Sequence, residues 1–220
     1  NSLIGPDYFA GQLMPDEDEM RRVNPFDWKA EFPEIVKAGG FDAVIGNPPY
    51  VFARELLTIR DKDYFASHYR TIWEKPNTYM IFMEQGISLV SQRGMLSFIV
   101  PNSWLTVESG KKLRDVYASR LLVLADLLYP VFSGATVETV IFVAGKDPHP
   151  GKVKCCTAKS REELEPSKFV DMSADSWRVN EGKIYLTSGS GIDSVLEKVL
   201  ARSKRIGDLF DVKTGLQAYE

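Results

Sequence analysis

The sequence predicts an α/β fold in which helices cover a central sheet on both faces. Short, wholly apolar segments recur along the chain with the length of β-strands. They alternate with longer segments in which apolar residues follow the helical period. Strands without polar alternation belong to sheets that are buried on both sides, as helices on either face provide. A composition of 44% hydrophobic residues over 220 positions can fill such a core.

Apolar periodicity predicts four strands and three helices between residues 24 and 145. The strands are FDAVIG (41–46), MLSFIV (95–100), a segment within LLVLADLLYPVF (121–132) and VETVIFVAG (137–145). The helices are NPFDWKAEFPEIV (24–36), which Gly39-Gly40 ends, NTYMIFMEQGISLVSQ (77–92), which Gly94 ends, and residues 109–120. The apolar faces are Tyr79, Met83, Ile87 and Val90 on the second helix, and Leu113, Val116 and Tyr117 on the third.

These elements divide the chain into four predicted parts. They are a connecting segment with a short helix (1–40), the sheet (41–147), a linker region with a helix near 191–203 (148–205), and the start of another domain (206–220). Residues 51–76 show no clean periodicity, and residues 149–190 are polar, so the sequence predicts irregular structure there.

Composition excludes several classes of function. The formal net charge of −3 gives no electrostatic argument for nucleic-acid binding. Cys155 and Cys156 are adjacent, and His68 and His149 lie far apart, so we expect neither a disulfide framework nor a metal site. We assign all four to structural roles in a reducing cytosol. We also expect no signal peptide and no membrane span, because no apolar run reaches ~18–20 residues.

The strand at 41–46 runs directly into Asn47-Pro48-Pro49-Tyr50, through which neither helix nor sheet can continue. Each proline fixes its own φ angle and lacks a backbone donor, and Pro49 pushes Pro48 towards an extended backbone. The resulting stiff corner falls at a strand's carboxyl end, where open α/β sheets bind ligands. Asn47 and the Pro48 carbonyl can accept hydrogen bonds from a planar amine, and Tyr50 can stack on its ring. A plain turn explains these four residues equally well.

Several segments resemble N6-adenine DNA methyltransferases, most closely the large fused (type IIG-like) restriction–modification enzymes that carry methyltransferase and endonuclease parts. PFDWKAEFPEIVKAGGFDAVIGNPPYV resembles the approach to their catalytic corner, and NTYMIF with GMLSFIVPNSWL resembles the next helix and strand. VFSGATVETVIFV resembles the segment in which a Phe faces the target adenine. IGDLFDVKTGLQ resembles the opening of a target-recognition domain.

The resemblance implies the second half of a Rossmann-like (class I) methyltransferase sheet in residues 41–147 and the start of a target-recognition domain in residues 206–220. The implied reaction transfers a methyl group from S-adenosyl-L-methionine to adenine N6 in double-stranded DNA, with the base flipped out of the duplex. The implied location is the prokaryotic cytoplasm. The implied site residues are Asn47, Pro48, Pro49 and Tyr50 for catalysis, Tyr50 and Phe132 around the target base, and Asn1 at the cofactor's rim, because NSLIG resembles the family's GNSL segment.

The chain departs from the family pattern in what it lacks. The family's Gly-rich cofactor segment precedes the catalytic corner, and nothing similar lies before residue 41. Four predicted strands stand where a complete sheet would have about seven, which leaves the apolar strand 41–46 without one neighbour. The chain also begins with Asn1 rather than Met. We therefore expect a fragment of a longer enzyme, inactive alone and without tight cofactor binding.

Two other classes of enzyme share parts of the pattern. An Asn-Pro-Pro-Tyr corner also serves enzymes that methylate glutamine side chains or RNA bases. The stretch Val100-Pro101-Asn102-Ser103-Trp104 lacks the acidic residue typical of the glutamine group. Pro15-Asp16 followed by Asp27-Trp28-Lys29 formally fits a metal-dependent nuclease. However, Asp27 also suits the first turn of the predicted helix.

A non-catalytic DNA-binding module is a further alternative, because basic and aromatic residues interleave between residues 54 and 75. The basic ones are Arg54, Arg60, Lys62, Arg70 and Lys75, and the aromatic ones are Tyr64, Phe65, Tyr69 and Trp73. Such residues can contact phosphates and stack on nucleotides. On composition, a solvated helix face over core aromatics explains them better.

Overall fold

A computed structural model describes residues 1–50, 57–71, 77–132, 137–148, 151–178, 182–186, 198–199, 201–204 and 206–211. The chain divides into two compact units, Asn1–Leu186 and Thr187–Glu220. The strands of the first unit are β1 (Phe41–Gly46), β2 (Val90–Pro101), β3 (Leu121–Leu127), β4 (Thr139–Gly145), β5 (Lys152–Ala158) and β6 (Val170–Ser173). Its helices are α1 (Glu17–Val23), α2 (Trp28–Glu31), α3 (Pro33–Lys37), α4 (Ile59–His68), α5 (Thr78–Leu89), α6 (Lys111–Tyr117) and α7 (Asp175–Arg178).

The six strands form one mixed sheet in the order β1-β2-β4-β3-β5-β6. β1 and β2 are parallel, as are β3 and β5, whereas β4 runs antiparallel to both of its neighbours. β6 pairs antiparallel with β5. The carboxyl ends of β1, β2, β3 and β5 therefore meet at one edge of the sheet, and the amino end of β4 lies between them. We call this edge the carboxyl edge.

The predicted α/β class is confirmed, and all four predicted strands are present. β1 has the predicted bounds and lies at the end of the sheet, so its expected open edge is also confirmed within the described residues. Its predicted burial is wrong, because Ile45 is 85% exposed beside that edge. The predicted irregular structure after residue 148 is also wrong, since β5 and β6 extend the same sheet to six strands.

The sheet's two faces pack separately because alternate residues of each strand point to opposite sides. One face contains Leu96, Phe98, Val100, Val140 and Phe142, which pack against the buried faces of α5 and α6. The opposite face contains Ala125, Leu127, Cys156 and Ala158, which pack against Leu164 and Phe169. Both cysteines are buried free thiols in β5, in keeping with the structural role predicted for them.

The predicted helices exist with different bounds. Pro33 splits the helix at 24–36 into α2 and α3, because a proline has no N–H to continue a helix and fits the first turn of the next. α5 has the predicted buried face of Tyr79, Met83 and Ile87. Val90, which was predicted to share that face, is instead the first residue of β2. α4 was not predicted, and it begins at a capping box formed by Thr58 and Asp61.

Residues 1–24 pack against α4 and α5 and form what we call the N-terminal layer. Its buried residues are Leu3, Ile4, Tyr8 and Val23, and they pack with Phe65 of α4, Tyr69 just after α4 and Ile81 of α5. Asp61 is 1% exposed and holds the layer by polar contacts. Its carboxylate accepts hydrogen bonds from the Tyr8 hydroxyl at 2.7 Å, from Arg22 Nη1 at 3.1 Å and from the Thr58 N–H at 2.8 Å.

The second unit contains α8 (Ile206–Leu209) among its described residues. Most of the helix predicted near 191–203 and of the segment predicted to open a target-recognition domain lies outside the described residues. The assignment of residues 206–220 to target recognition stays a prediction.

Candidate active site

The Asn47–Tyr50 segment leaves β1 at the carboxyl edge. Pro48 is buried, whereas Asn47 and Pro49 are exposed and Tyr50 is half-buried. Burial of Pro48 fixes the backbone while the neighbouring amide side chain stays open to solvent. The corner can therefore offer hydrogen-bond acceptors to an incoming group without unfolding.

Two hydrogen bonds hold the corner against the elements beside it. The Thr78 hydroxyl, at the start of α5, donates to the Pro49 carbonyl at 2.7 Å. The Tyr50 hydroxyl donates to the Ile99 carbonyl at 3.0 Å. β1 pairs with β2 as far as Gly46 opposite Phe98, and Ile99 is the next residue of β2. The phenol of Tyr50 thus contacts β2 immediately beyond the end of the paired strand.

An aromatic pair lies beneath the corner. The rings of Tyr50 and Tyr79 are 6.2 Å apart between centroids and meet edge to face at 83°. The Tyr79 hydroxyl lies 3.2 Å from Ser103 Oγ, in the turn that follows β2. Burial raises the pKa of Tyr79 to about 12 and also raises the pKa of Tyr50. Both phenols therefore stay protonated at neutral pH, and the Tyr50 hydroxyl acts as a hydrogen-bond donor.

A second polar group at the carboxyl edge joins β2, β3 and β4. Asn102 Nδ2 donates to Asp126 Oδ1 at 3.1 Å and to Glu138 Oε2 at 3.2 Å. Burial raises the pKa of the Asp126 carboxyl, and the nearby Glu138 charge raises it further, against the opposing effect of the Asn102 hydrogen bond. The sequence does not predict this cluster, because its members come from three separate segments of the chain. The only available signal was that each stands at a strand end.

Phe132 lies half-buried after the carboxyl end of β3, so it shares the edge with Asn47 and Tyr50. It makes no ring contact with Tyr50 among the described residues. Asn1 belongs to the N-terminal layer and is exposed, and its Oδ1 accepts a hydrogen bond from the Leu3 N–H at 3.3 Å. The structure thus brings Phe132 to the edge that carries the corner. The base and cofactor contacts of Phe132 and Asn1 stay predictions.

The residues of the nuclease-like pattern begin helices. Asp16 caps α1 by accepting from the Glu19 N–H, and Asp27 caps α2 by accepting from the Lys29 and Ala30 N–H groups. Among the described residues no group of three or more His, Cys, Asp or Glu side chains is placed to hold a metal ion. Helix capping therefore accounts for both aspartates.

The basic and aromatic segment has mainly structural contacts where it is described. Phe65 and Tyr69 are buried in the N-terminal layer, and Arg60 forms an ion pair with Glu19 at 3.2 Å. His68 stacks on Tyr64 and lies 2.7 Å from Asp7. These contacts favour the core interpretation over a nucleotide-stacking surface. Arg54, Trp73 and Lys75, and also His149, lie outside the described residues.

Solved structures with the same fold come from restriction–modification systems. The type IIG restriction endonuclease BpuSI superposes with a TM-score of 0.53 at 17% identity, over 73% of this chain and 22% of its own. A type I restriction-modification methyltransferase subunit from Streptococcus thermophilus also gives 0.53, at 15% identity over 73% and 39% of the two chains. The fold is thus the one used by this class of protein.

The sequence defines the family. Residues 5–132 match the model of the Eco57I restriction-modification methylase family, and the chain belongs to that family. The type II restriction enzyme and methyltransferase RM.Eco57I of Escherichia coli is 26% identical over 99% of this chain and 21% of its own length. The type II methyltransferase M.BstVI of Geobacillus stearothermophilus is 31% identical over 53% of this chain and 21% of its own. The chain spans about a fifth of the length of these two relatives.

In the described part of the chain, no helix has both the length and the apolarity needed to cross a lipid bilayer.

Proposed function

We propose that this chain is the catalytic part of an adenine-specific DNA methyltransferase within a restriction–modification enzyme of the prokaryotic cytoplasm. The observation that carries the proposal is the corner at Asn47–Tyr50, which presents an exposed amide beside a buried proline at the carboxyl edge. Membership of a restriction-modification methylase family supports a methyl transfer to DNA.

The corner suits an amine substrate because of its acceptors. The exocyclic nitrogen of adenine is a poor nucleophile, since its lone pair is delocalised into the ring. Asn47 Oδ1 and the Pro48 carbonyl would each accept a hydrogen bond from one N–H of this amine. These bonds would draw the two hydrogens out of the ring plane. The nitrogen would then become more nucleophilic as the transition state forms, which is where stabilisation raises kcat.

The target base would have to leave the duplex to reach this corner. Tyr50 would stack on one face of the extruded adenine, an interaction worth about 1–3 kcal/mol, and Phe132 would cover the other face. Both residues lie at the carboxyl edge, which supports this arrangement.

S-adenosyl-L-methionine would supply an electrophilic methyl group when bound. The corner fits the acceptor side of that transfer, because its amide and ring are partly open to solvent where α/β sheets bind ligands. Asn1 is the residue of this chain that we assign to the cofactor's rim, and its side chain is exposed as that role requires.

The test is the identity of the methylated product. The full-length protein that carries this chain would be expressed in a host without DNA methyltransferases, and the host DNA would be read by single-molecule sequencing. We expect N6-methyladenine at one sequence motif and none with Asn47→Ala. Methylated cytosine at a motif would overturn adenine specificity. Unmodified DNA alongside methylated glutamine or RNA in mass spectra would overturn the DNA substrate.

A further inference from the structure

We infer that Thr78 is a positioning residue for the corner, an inference that rests on the proposed function. Its hydroxyl donates to the Pro49 carbonyl at 2.7 Å. That carbonyl belongs to the peptide unit that leads into Tyr50, so the bond fixes the backbone from which the Tyr50 ring extends. Thr78 does not contact the reacting atoms in this scheme and acts through its neighbours.

The Tyr50 ring is held from both ends. Thr78 fixes the peptide at its base, and the Ile99 carbonyl accepts the hydroxyl at its tip, 3.0 Å away. The Tyr50 ring also packs against the Tyr79 ring in an edge-to-face contact, with 6.2 Å between the ring centroids, so its lateral movement is limited. A ring restrained in this way can offer its face to a base without first losing conformational freedom.

Thr78 is itself held in a defined place. It is the first residue of α5, after the buried helix cap Asn77. The next residue, Tyr79, is 1% exposed and packs in the sheet core. The bond from Thr78 to Pro49 therefore couples the position of the corner to the position of a packed helix. A shift of a substrate-binding group by about 1 Å can cost on the order of 100-fold in rate, so such coupling matters for catalysis.

The test uses three variants of the full-length protein. Thr78→Val keeps the shape and removes the hydroxyl, whereas Thr78→Ser keeps the hydroxyl. Ser88→Ala is the matched control, because Ser88 lies on the same helix and donates its hydroxyl to the Gln85 carbonyl at 2.7 Å without contacting the corner. The measurements are kcat, KM, melting temperature and the fluorescence of 2-aminopurine placed at the target position of duplex DNA.

We expect Thr78→Val to lower kcat roughly tenfold, the factor that matches one ordinary hydrogen bond, with KM within about twofold. We also expect brighter 2-aminopurine in bound DNA, because a displaced ring quenches it less. Thr78→Ser and Ser88→Ala should match the wild type. Equal kcat and equal fluorescence for Thr78→Val and Thr78→Ser would overturn the inference, as would a loss in Thr78→Val that follows melting temperature alone.

Asn47→Ala separates this inference from the proposed function. If Asn47→Ala abolishes methylation while Thr78→Val behaves as wild type, only the positioning role is wrong. If Asn47→Ala keeps near-normal kcat, the proposed function of the corner is wrong. The two failures therefore give different results in the same set of variants.

Discussion

Two carboxylates, the buried Asp61 of the N-terminal layer and the half-buried Asp126 at the carboxyl edge, have opposite surroundings. Asp61 accepts bonds from a phenol, a guanidinium and a backbone N–H. Burial alone would raise its pKa, but these donors outweigh burial and the pKa is lowered. Asp126 accepts a hydrogen bond from the Asn102 amide, but its burial and the charge of the nearby Glu138 outweigh the effect of its donors, and its pKa is raised.

This difference in surroundings indicates that the two regions have different roles. Asp61 is a charge with its partners supplied inside the chain, so its function is to hold residues 1–24 on α4. The carboxyl edge instead exposes polar groups to solvent, of which Asn47 is the clearest example. Ligands of open α/β sheets bind at this end of the strands. Changes in the first region should act on stability, and changes in the second on activity.

The largest expected effect is at the carboxyl edge. Asn47→Ala should lower kcat by about 100- to 1000-fold, because loss of one contact to developing charge costs ~2.7–4 kcal/mol. KM for DNA and the melting temperature should change little, since Asn47 is exposed. Steady-state kinetics of the full-length protein provide the measurement. A variant with normal kcat and altered KM would contradict the assigned role.

The next effect belongs to the N-terminal layer. Asp61→Ala should lower the free energy of unfolding by about 3 kcal/mol, because the Tyr8 hydroxyl loses its buried partner and α4 loses its capping box. Without denaturant, where the variant is still folded, its kcat should stay close to that of the wild type. Denaturant titrations at several pH values supply the measurement, with the exposed Asp63→Ala on the same helix as control.

The pH dependence follows from the direction of the Asp61 shift. A lowered pKa in the folded state means that the stabilisation is fully present above the unfolded pKa of about 3.9. It is lost as the pH falls through the lower folded pKa. The stability gap between wild type and Asp61→Ala should therefore be constant near neutral pH and shrink below about pH 4. A gap that closes already between pH 6 and 7 would show that another group is responsible.

Tyr50 should give an intermediate effect that separates its ring from its hydroxyl. Tyr50→Ala should cost about 1–3 kcal/mol of target-base stacking, whereas Tyr50→Phe keeps the ring and should be mild. Tyr50→Phe also loses the hydrogen bond from the Tyr50 hydroxyl to the Ile99 carbonyl, which is worth about 1 kcal/mol. Fluorescence of 2-aminopurine in bound DNA distinguishes the cases. Equal emission from wild type and Tyr50→Ala, with extrusion confirmed independently, would exclude stacking.

The smallest effect is expected at Asp126. Because its folded pKa is raised, its ionised form opposes folding, and Asp126→Asn should be neutral or stabilise by less than about 1 kcal/mol at neutral pH. The wild type gains stability as the pH falls through the raised pKa, so the two proteins should converge towards pH 4. A clear loss of stability in Asp126→Asn at pH 7 would show that ionised Asp126 stabilises the fold as Asp61 does, and it would contradict the difference between the two carboxylates.

Local pattern predicted the sheet well and the N-terminal layer poorly. β2 and β4 are apolar runs whose burial dominates their conformation, β1 is an apolar run that pairs with β2, and Pro48-Pro49 fixes the corner through its own rings. β5 was missed because KVKCCTA mixes lysines with small residues, and only pairing with β3 makes it a strand. The Asp61 contacts could not be predicted, because Tyr8 and Asp61 are 53 residues apart in the chain.

The antiparallel pair of β3 and β4 has a further consequence for evolution. Its register runs from Leu121 opposite Ala144 to Leu127 opposite Thr139, and the packed sheet fixes it. Phe132 follows β3 and Glu138 precedes β4, so both described ends of this connection lie at the carboxyl edge. Because a connection between two strands can change in length without moving their register, we expect insertions between Phe132 and Glu138 to leave the sheet and the Asn47–Tyr50 corner in place. In the proposed methyltransferase, such an insertion would alter specificity without altering the residues of the corner.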